Sequence, residues 1–269
     1  MLEKINQTVA FIKGKVTIEP EVGIILGTGL GGLVKEIEKQ QALDYKDIPN
    51  FPISTVEGHT GRLIFGELGG KKVVAMQGRF HFYEGYDMKQ VTFPVRVMKF
   101  LGIQYLFVSN ASGGMNPAFE IGDLMIINDH INLMPNPLLG PNISELGPRF
   151  PDMHRAYDEK LIALAKKVAA SNGTAIKEGC YVGTTGPTFE TPKEYQYFRI
   201  IGGDAVGMST VPEVIVARHM NIPVFAISII TDLGVPGKII EVSHEDVQKI
   251  GNLSEQKMTR IMKDMLTQL

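Results

Sequence analysis

Short apolar runs alternate with longer polar–apolar stretches along this chain. Runs at 22–26, 63–68, 73–76, 105–108, 124–127, 204–206 and 224–230 have the length of buried strands. Between or beside them, apolar residues recur three and four positions apart and predict helices over 33–40, 88–101, 157–170, 192–201, 211–220 and 243–269. A further amphipathic helix opens the chain, with Leu2, Ile5, Val9 and Ile12 on one side. The alternation predicts an α/β fold, a largely parallel or mixed sheet with helices on both faces. No repeat, low-complexity tract or linker interrupts it, so a single domain over residues 1–269 is expected. Residues 134–152 carry five prolines and no period, which predicts a long ordered loop or lid.

Composition narrows the classes. At 269 residues, 44% hydrophobic and 21% charged, the chain is an ordinary globular one. A formal charge of -2 gives no electrostatic reason to expect nucleic acid. The single cysteine, Cys180, excludes a disulfide framework and a cysteine-based zinc cluster. No histidine–carboxylate spacing suits a metal, and none is expected. No apolar run reaches membrane-spanning length, and the N-terminal segment lacks a signal-peptide core. No membrane association and a cytoplasmic location are expected.

The densest chemistry lies at residues 78–86, GRFHFYEGY. In an extended chain alternate side chains share a face, which would present Arg79, His81 and Tyr83 together. A guanidinium beside an imidazole and a hydroxyl suits phosphate oxygens. A surface strand with polar decoration is the plainer alternative. Residues 27–32, GTGLGG, satisfy the glycine spacing of a dinucleotide-binding turn, and Asp47 stands near the expected acid. The stretch before Asp47 is not a convincing second strand. A phosphate loop, with backbone N–H groups and the Thr28 hydroxyl at a helix N-terminus, fits better. A tight turn needing glycines for positive φ is the remaining reading.

Ligands in open α/β sheets bind beyond the carboxyl ends of strands. Four runs here end in small or polar residues: Gly27-Thr28, Asn110-Ala111-Ser112, Met208-Ser209-Thr210 and Thr231-Asp232. Ser209 or Thr210 caps the helix that Pro212 begins or contacts an anion there, with Glu213 in the favourable first turn. His59, in EGHTGR, is a loop phosphate ligand or a polar turn residue. Phe189-Glu190 is a solvated loop pair or grips a planar heterocycle, the ring stacking and the carboxylate accepting ring N–H bonds. Met115, Met125 and Met134 read as core filler.

Together, GIILGTGLGGL, FPISTVEGHTGRLIFGEL, MQGRFHFYEGY, VTFPVRV, VSNASGGMNP, GDLMIINDHINL, GPTFET and DAVGMSTVPEVIVARH resemble the trimeric purine nucleoside phosphorylases, in that family's order. The resemblance implies a single-domain α/β fold with a twisted, mixed, partly barrel-like sheet, and a homotrimer. It implies that orthophosphate, a co-substrate, attacks the anomeric carbon of a purine nucleoside, with no cofactor. Thr28, His59, Arg79, His81, the Ala111 backbone N–H and Ser209 match the family's phosphate contacts. Tyr83, Met208 and His244 match ribose contacts, and Phe150 the aromatic that a neighbouring subunit lends. Phe189, Glu190, Val206, Gly207 and Asp232 match the purine pocket. His81, Glu190 and Asp232 would carry the catalytic roles.

Three departures stand out. Asp232 occupies the place of an Asn in the inosine- and guanosine-specific members, the segment after it, LGVPGKIIEVSH, which carries His244, differs from the better-known members, and the lid over 134–148 is short. Inosine and guanosine are the expected chief substrates. A 5′-methylthioadenosine phosphorylase and a non-catalytic nucleotide- or anion-binding protein are the alternatives.

Overall fold

Val22–Leu26 (β1) is five apolar residues in a row and is buried throughout. It pairs in parallel with a strand on each side, Lys71–Gln77 (β4) and Tyr105–Gly114 (β5). A strand covered on both faces and paired on both edges needs such a run. The computed structural model describes residues 1–269 apart from 29, 54 and 56–60. The remaining strands among the described residues are Glu38–Asp44 (β2), Arg62–Leu68 (β3), Leu124–Asn132 (β6), Lys177–Gly183 (β7), Ala205–Gly207 (β8) and Val224–Leu233 (β9). They form one sheet in the order β2-β3-β4-β1-β5-β8-β7-β6-β9. β9 also pairs with β5, so β5, β8, β7, β6 and β9 close into a ring of parallel and antiparallel pairs. The expected mixed sheet with a barrel-like core is the architecture found.

Helices cover both faces. Leu2–Lys13 (α1), Phe93–Leu101 (α3) and Val211–His219 (α6) bury Ile5, Ile12, Val95 and Val214 on one side. Glu159–Ser171 (α4) and His244–Leu266 (α7) bury Leu161, Ala165, Met258 and Ile261 on the other. Pro192–Ile200 (α5) sets Tyr195 and Phe198 against Val182 and Val206. Among the described residues, no helix is long and apolar enough to cross a membrane.

The structure corrects several expectations. The predicted helix over 33–40 is a 3-10 turn at Gly31–Glu36 followed by β2. The lysines, glutamates and glutamines there have good helix propensity, and pairing with β3 overrides it. β2 is an exposed edge strand with a register shift between Glu38 and Gln41, the form in which polar edges resist further pairing. A strand does precede Asp47, but it is antiparallel to β3 and no neighbour of β1, so the dinucleotide-binding unit is absent. The predicted helix over 88–101 divides into Met88–Val91 (α2) and α3 at Thr92, where Pro94 lacks the N–H a continuous helix requires. β7 was not predicted: KEGCYVG mixes polar and apolar residues, and only its place inside the ring makes it a strand. Residues 134–152 form an extended loop with one 3-10 turn, Ser144–Leu146.

Candidate active site

Four strand ends meet at one cavity of ≈ 440 Å³. β1 brings Thr28, β5 brings Asn110 to Gly113, β8 leads into Val206 to Ser209, and β9 ends at Thr231 and Asp232. The β5–β9 ladder shifts register between Ser112 and Gly113, so regular pairing breaks at the cavity wall. The loop after β4 adds Arg79, His81 and Tyr83, the loop after β7 adds Phe189 and Glu190, and α7 adds His244 and Val247. Every site residue expected from the sequence lines this cavity except His59, which lies outside the described residues, and Phe150.

Arg79 is 1% exposed. Its Nε donates to Glu213 Oε1 at 3.1 Å and its Nη2 to Glu213 Oε2 at 3.0 Å. Its Nη1 donates to Ser109 O at 2.8 Å and to Ser209 Oγ at 3.3 Å. The guanidinium fork expected to grip phosphate thus grips a buried carboxylate, and Arg79 lines the cavity beside Ser209 with most of its N–H groups engaged. Glu213, expected only as a favourable charge in the first turn of α6, is its counter-ion.

Thr210 sets the position of Ser209. Its φ of 67° and ψ of -53°, with Val211 N donating to Ser209 O at 2.7 Å, make a tight γ-turn. That conformation is strained for a β-branched residue, by an order of 1–3 kcal/mol. Asn110 Nδ2 donates to the buried Thr210 hydroxyl at 2.8 Å and helps hold it. Neither hydroxyl caps α6 through a side-chain bond, so the cap reading falls away.

The expectation of one extended face for Arg79, His81 and Tyr83 holds only as far as His81. Tyr83 sits in a 3-10 turn, Phe82–Glu84, and its ring stacks on His81 with centroids 4.7 Å apart. His81 N donates to Glu84 Oε1 at 2.7 Å, and His81 Nδ1 lies 3.1 Å from the same oxygen. Thr55 N and Oγ1 donate to Glu84 Oε2 at 2.8 and 2.7 Å. Burial alone would raise the Glu84 carboxyl, but these bonds bring it down to about 2. Burial lowers the His81 imidazole against the pull of Glu84. With Nδ1–H bonded to Glu84, the neutral ring keeps an acceptor at Nε2.

The glycine loop also differs. Gly27, Gly31 and Gly32 have no positive φ, and Gly29 lies outside the described residues. Gly27 is needed for close approach instead: a Cβ there would stand 2.9 Å from Asn110 Cα and Ser109 O. A six-residue 3-10 turn follows in place of an α-helix, which leaves no long dipole aimed at an anion.

At the other end of the cavity stand two carboxyls, Glu190 and Asp232. Glu190 is pushed up to about 7, by burial first and by the charge of Asp232 after it; Thr184 Oγ1 donates to it at 3.3 Å. Asp232 is 6% exposed and raised by burial, against donation from Thr231 Oγ1 to Oδ1 and from Tyr195 OH to Oδ2, both at 3.0 Å. Phe189, 43% exposed, stands beside Glu190, and Val206 and Gly207 form a wall. His244 opens α7, next to Ser243, which caps the helix by accepting from Asp246 N. Phe150 lies away from the cavity, 86% exposed, with the Arg149 guanidinium 5.6 Å from its ring. Among the described residues, no group of three His, Cys, Asp or Glu could hold a metal ion.

Thr55 and Val247, which line the cavity, and Tyr195 and Glu213, which hold Asp232 and Arg79, are not marked by any motif in the sequence. Tyr195 carries a faint signal: with Phe198 it marks the apolar stripe of α5, which places its ring in the core and leaves its hydroxyl to find a partner there.

A family model described as Phosphorylase superfamily matches residues 21–267. The chain is 56% identical over 244 residues to Purine nucleoside phosphorylase 1 of Geobacillus stearothermophilus, covering 90% of this chain and 89% of that one. Crystal structures of the Schistosoma mansoni purine nucleoside phosphorylase superpose on it closely. The complex with adenosine gives a TM-score of 0.95 at 43% identity over 99% of this chain and 97% of that one. The complex with inosine gives 0.94 at 42% identity over 99% and 96%.

Proposed function

The chain belongs to the phosphorylase superfamily, and from that premise we propose that it carries out the phosphorolysis of purine nucleosides. The observation that carries the reading is the division of one cavity into two chemistries. One end presents Thr28, Ser209, Ala111 and Arg79, and the other presents Glu190, Asp232 and Phe189. A sugar between Tyr83, Met208 and His244 would then lie with phosphate at its anomeric carbon and the base at the carboxyls. Relatives bearing the name purine nucleoside phosphorylase support it.

In the reaction a phosphate oxygen bonds to C1′ while the C1′–N9 bond breaks, and the electron pair leaves with the purine. The sugar passes through an oxocarbenium-like state. Phosphate fixed by short hydroxyls and backbone N–H groups stabilises that cation and then captures it, so placement supplies most of the acceleration. The departing base gains negative charge, and a protonated Asp232 can donate to it. An ionised Glu190 accepts from N1–H of hypoxanthine or guanine. Orthophosphate is a co-substrate, and the reaction calls for no metal or other cofactor. Inosine and guanosine are read as the preferred substrates: the ionised Glu190 takes N1–H in a charge-assisted bond, at the cost of moving the pair's proton to Asp232, which then donates to O6.

The same reading includes a homotrimer in the cytoplasm. Phe150, at 86% exposure on a proline-rich loop that also exposes Leu139, is an apolar side chain suited to a neighbouring subunit's sugar site. Phosphate-dependent release of free base from a purine nucleoside tests the proposal.

A further inference from the structure

Two carboxyls in one base pocket pose a question of proton placement. Hypoxanthine offers a donor at N1 and an acceptor at O6, and adenine offers an acceptor at N1 and a donor at N6. With one proton between them, Glu190 and Asp232 complement either base. The form with Glu190 ionised and Asp232 protonated matches the 6-oxopurine. The form with Glu190 protonated and Asp232 ionised matches the 6-aminopurine. Both forms carry the same charge and differ only in where the proton sits, as a coupled pair does.

We propose that Tyr195 is a positioning residue that determines purine specificity: its hydroxyl, bonded to Asp232 Oδ2, biases on which of the two carboxyls that single proton resides. The inference rests on the cavity taking a purine. Tyr195 is 4% exposed, and its OH donates to Asp232 Oδ2 at 3.0 Å while Thr231 Oγ1 donates to Oδ1 at 3.0 Å. Both oxygens of Asp232 therefore receive a donor, which favours the anion there. Among the described residues, Glu190 has one side-chain donor, Thr184 at 3.3 Å, besides the backbone N–H of Glu190 itself. The Tyr195 ring is fixed in place by glycines. A Cβ on Gly234 would overlap the ring, and one on Gly113 would stand 2.8 Å from Asp232 Oδ2 and 3.2 Å from Tyr195 OH. The titratable groups whose charges bear on this contact are Glu190, from the loop before α5, and Tyr195 itself, from α5. β5 presents Gly113, and His244 from α7 and Arg79 from the loop after β4 line the same cavity. Burial raises Glu190 and Asp232 alike, which keeps one proton available to the pair near neutral pH.

By favouring an ionised Asp232, Tyr195 makes a 6-amino base cheaper to accept than it would otherwise be. Removing its hydroxyl sends the proton toward Asp232 and toward the 6-oxo bases. The experiment measures kcat/KM for adenosine and inosine in the parent and in Tyr195→Phe, from pH 6 to 8. The adenosine:inosine ratio is expected to fall about tenfold in the variant, the worth of one charge-assisted hydrogen bond. In an Asp232→Asn background, the same substitution should leave the ratio unchanged. An unchanged ratio in Tyr195→Phe, or an equal fall in both backgrounds, overturns the inference. A general loss of packing would lower both activities without moving their ratio. Should Tyr195→Phe fail to fold, Tyr195→Met fills the slot without a donor and reads the same ratio. A parent that cleaves no purine nucleoside overturns the proposed function and this inference with it. A parent that cleaves both with a ratio indifferent to Tyr195 overturns this inference alone.

Discussion

Glu213 holds Arg79 through two parallel bonds, Nε to Oε1 at 3.1 Å and Nη2 to Oε2 at 3.0 Å, with both side chains almost wholly buried. The pair joins the loop after β4 to the first turn of α6, and it leaves Arg79 placed beside Ser209 by a partner that is not a ligand. A buried pair contributes little against an apolar replacement, but breaking it strands a charge.

Glu213→Ala should therefore cost about 3–5 kcal/mol of stability, and it should raise the phosphate concentration needed for half-maximal rate. Arg79→Ala should cost a similar amount, more than the loss of a phosphate contact alone. The double variant Arg79→Met, Glu213→Leu should recover most of the stability and none of the phosphate use. Urea unfolding measures the first set and phosphate titration the second; a Glu213→Ala protein as stable as the parent contradicts the assignment.

The acid side of the stability curve reports Glu84. Its folded-state carboxyl is held at about 2 against an ordinary 4.5, so its contribution is complete above 4.5 and is lost as pH falls toward 2. Parent and Glu84→Gln should differ most at neutral pH and converge between about pH 4.5 and 2. A difference that persists unchanged to pH 2 contradicts it.

Much of this was readable from the residues. β1 follows from VGIIL alone, and the four strand ends with short polar residues locate the cavity without any contact being known. The residues that were not readable depend on long-range encounters. Glu213 lies 134 positions from Arg79 and Tyr195 lies 37 from Asp232, and no local period encodes either meeting. β2 was hidden because helix propensity and edge pairing disagree there and pairing wins. The strain at Thr210 was equally hidden, since Thr is a residue no rule would place at φ 67°.

Asp232→Asn removes the titrating partner and should sharpen the preference for 6-oxopurines. In the parent both base classes need one proton on the pair, so the adenosine:inosine ratio of kcat/KM should stay flat with pH. In the variant inosine needs Glu190 ionised and adenosine needs it protonated. Glu190 titrates at about 7 in the parent, and the variant's ratio should fall about tenfold per pH unit. A sloping ratio in the parent, or adenosine preferred by it, contradicts the account of the two carboxyls.

Phe150 should matter to catalysis without mattering to the subunit's own fold. Phe150→Ala is expected to lower kcat/KM for nucleoside while leaving the unfolding midpoint unchanged, since the ring is 86% exposed in the single chain. Light scattering should give three times the 29.6 kDa of one chain. A fully active species at the mass of one chain contradicts the shared site.

The central claim, that phosphate at the Arg79–Ser209 end attacks a nucleoside whose base sits at Glu190 and Asp232, is tested most directly by product analysis with inosine. Hypoxanthine and pentose-1-phosphate should appear in equal amounts, one orthophosphate consumed for each, with a rate that vanishes when phosphate is withdrawn and is indifferent to a chelator. Equal hypoxanthine release in phosphate-free buffer, release of free ribose, a requirement for added metal, or activity confined to 5′-methylthioadenosine would contradict it.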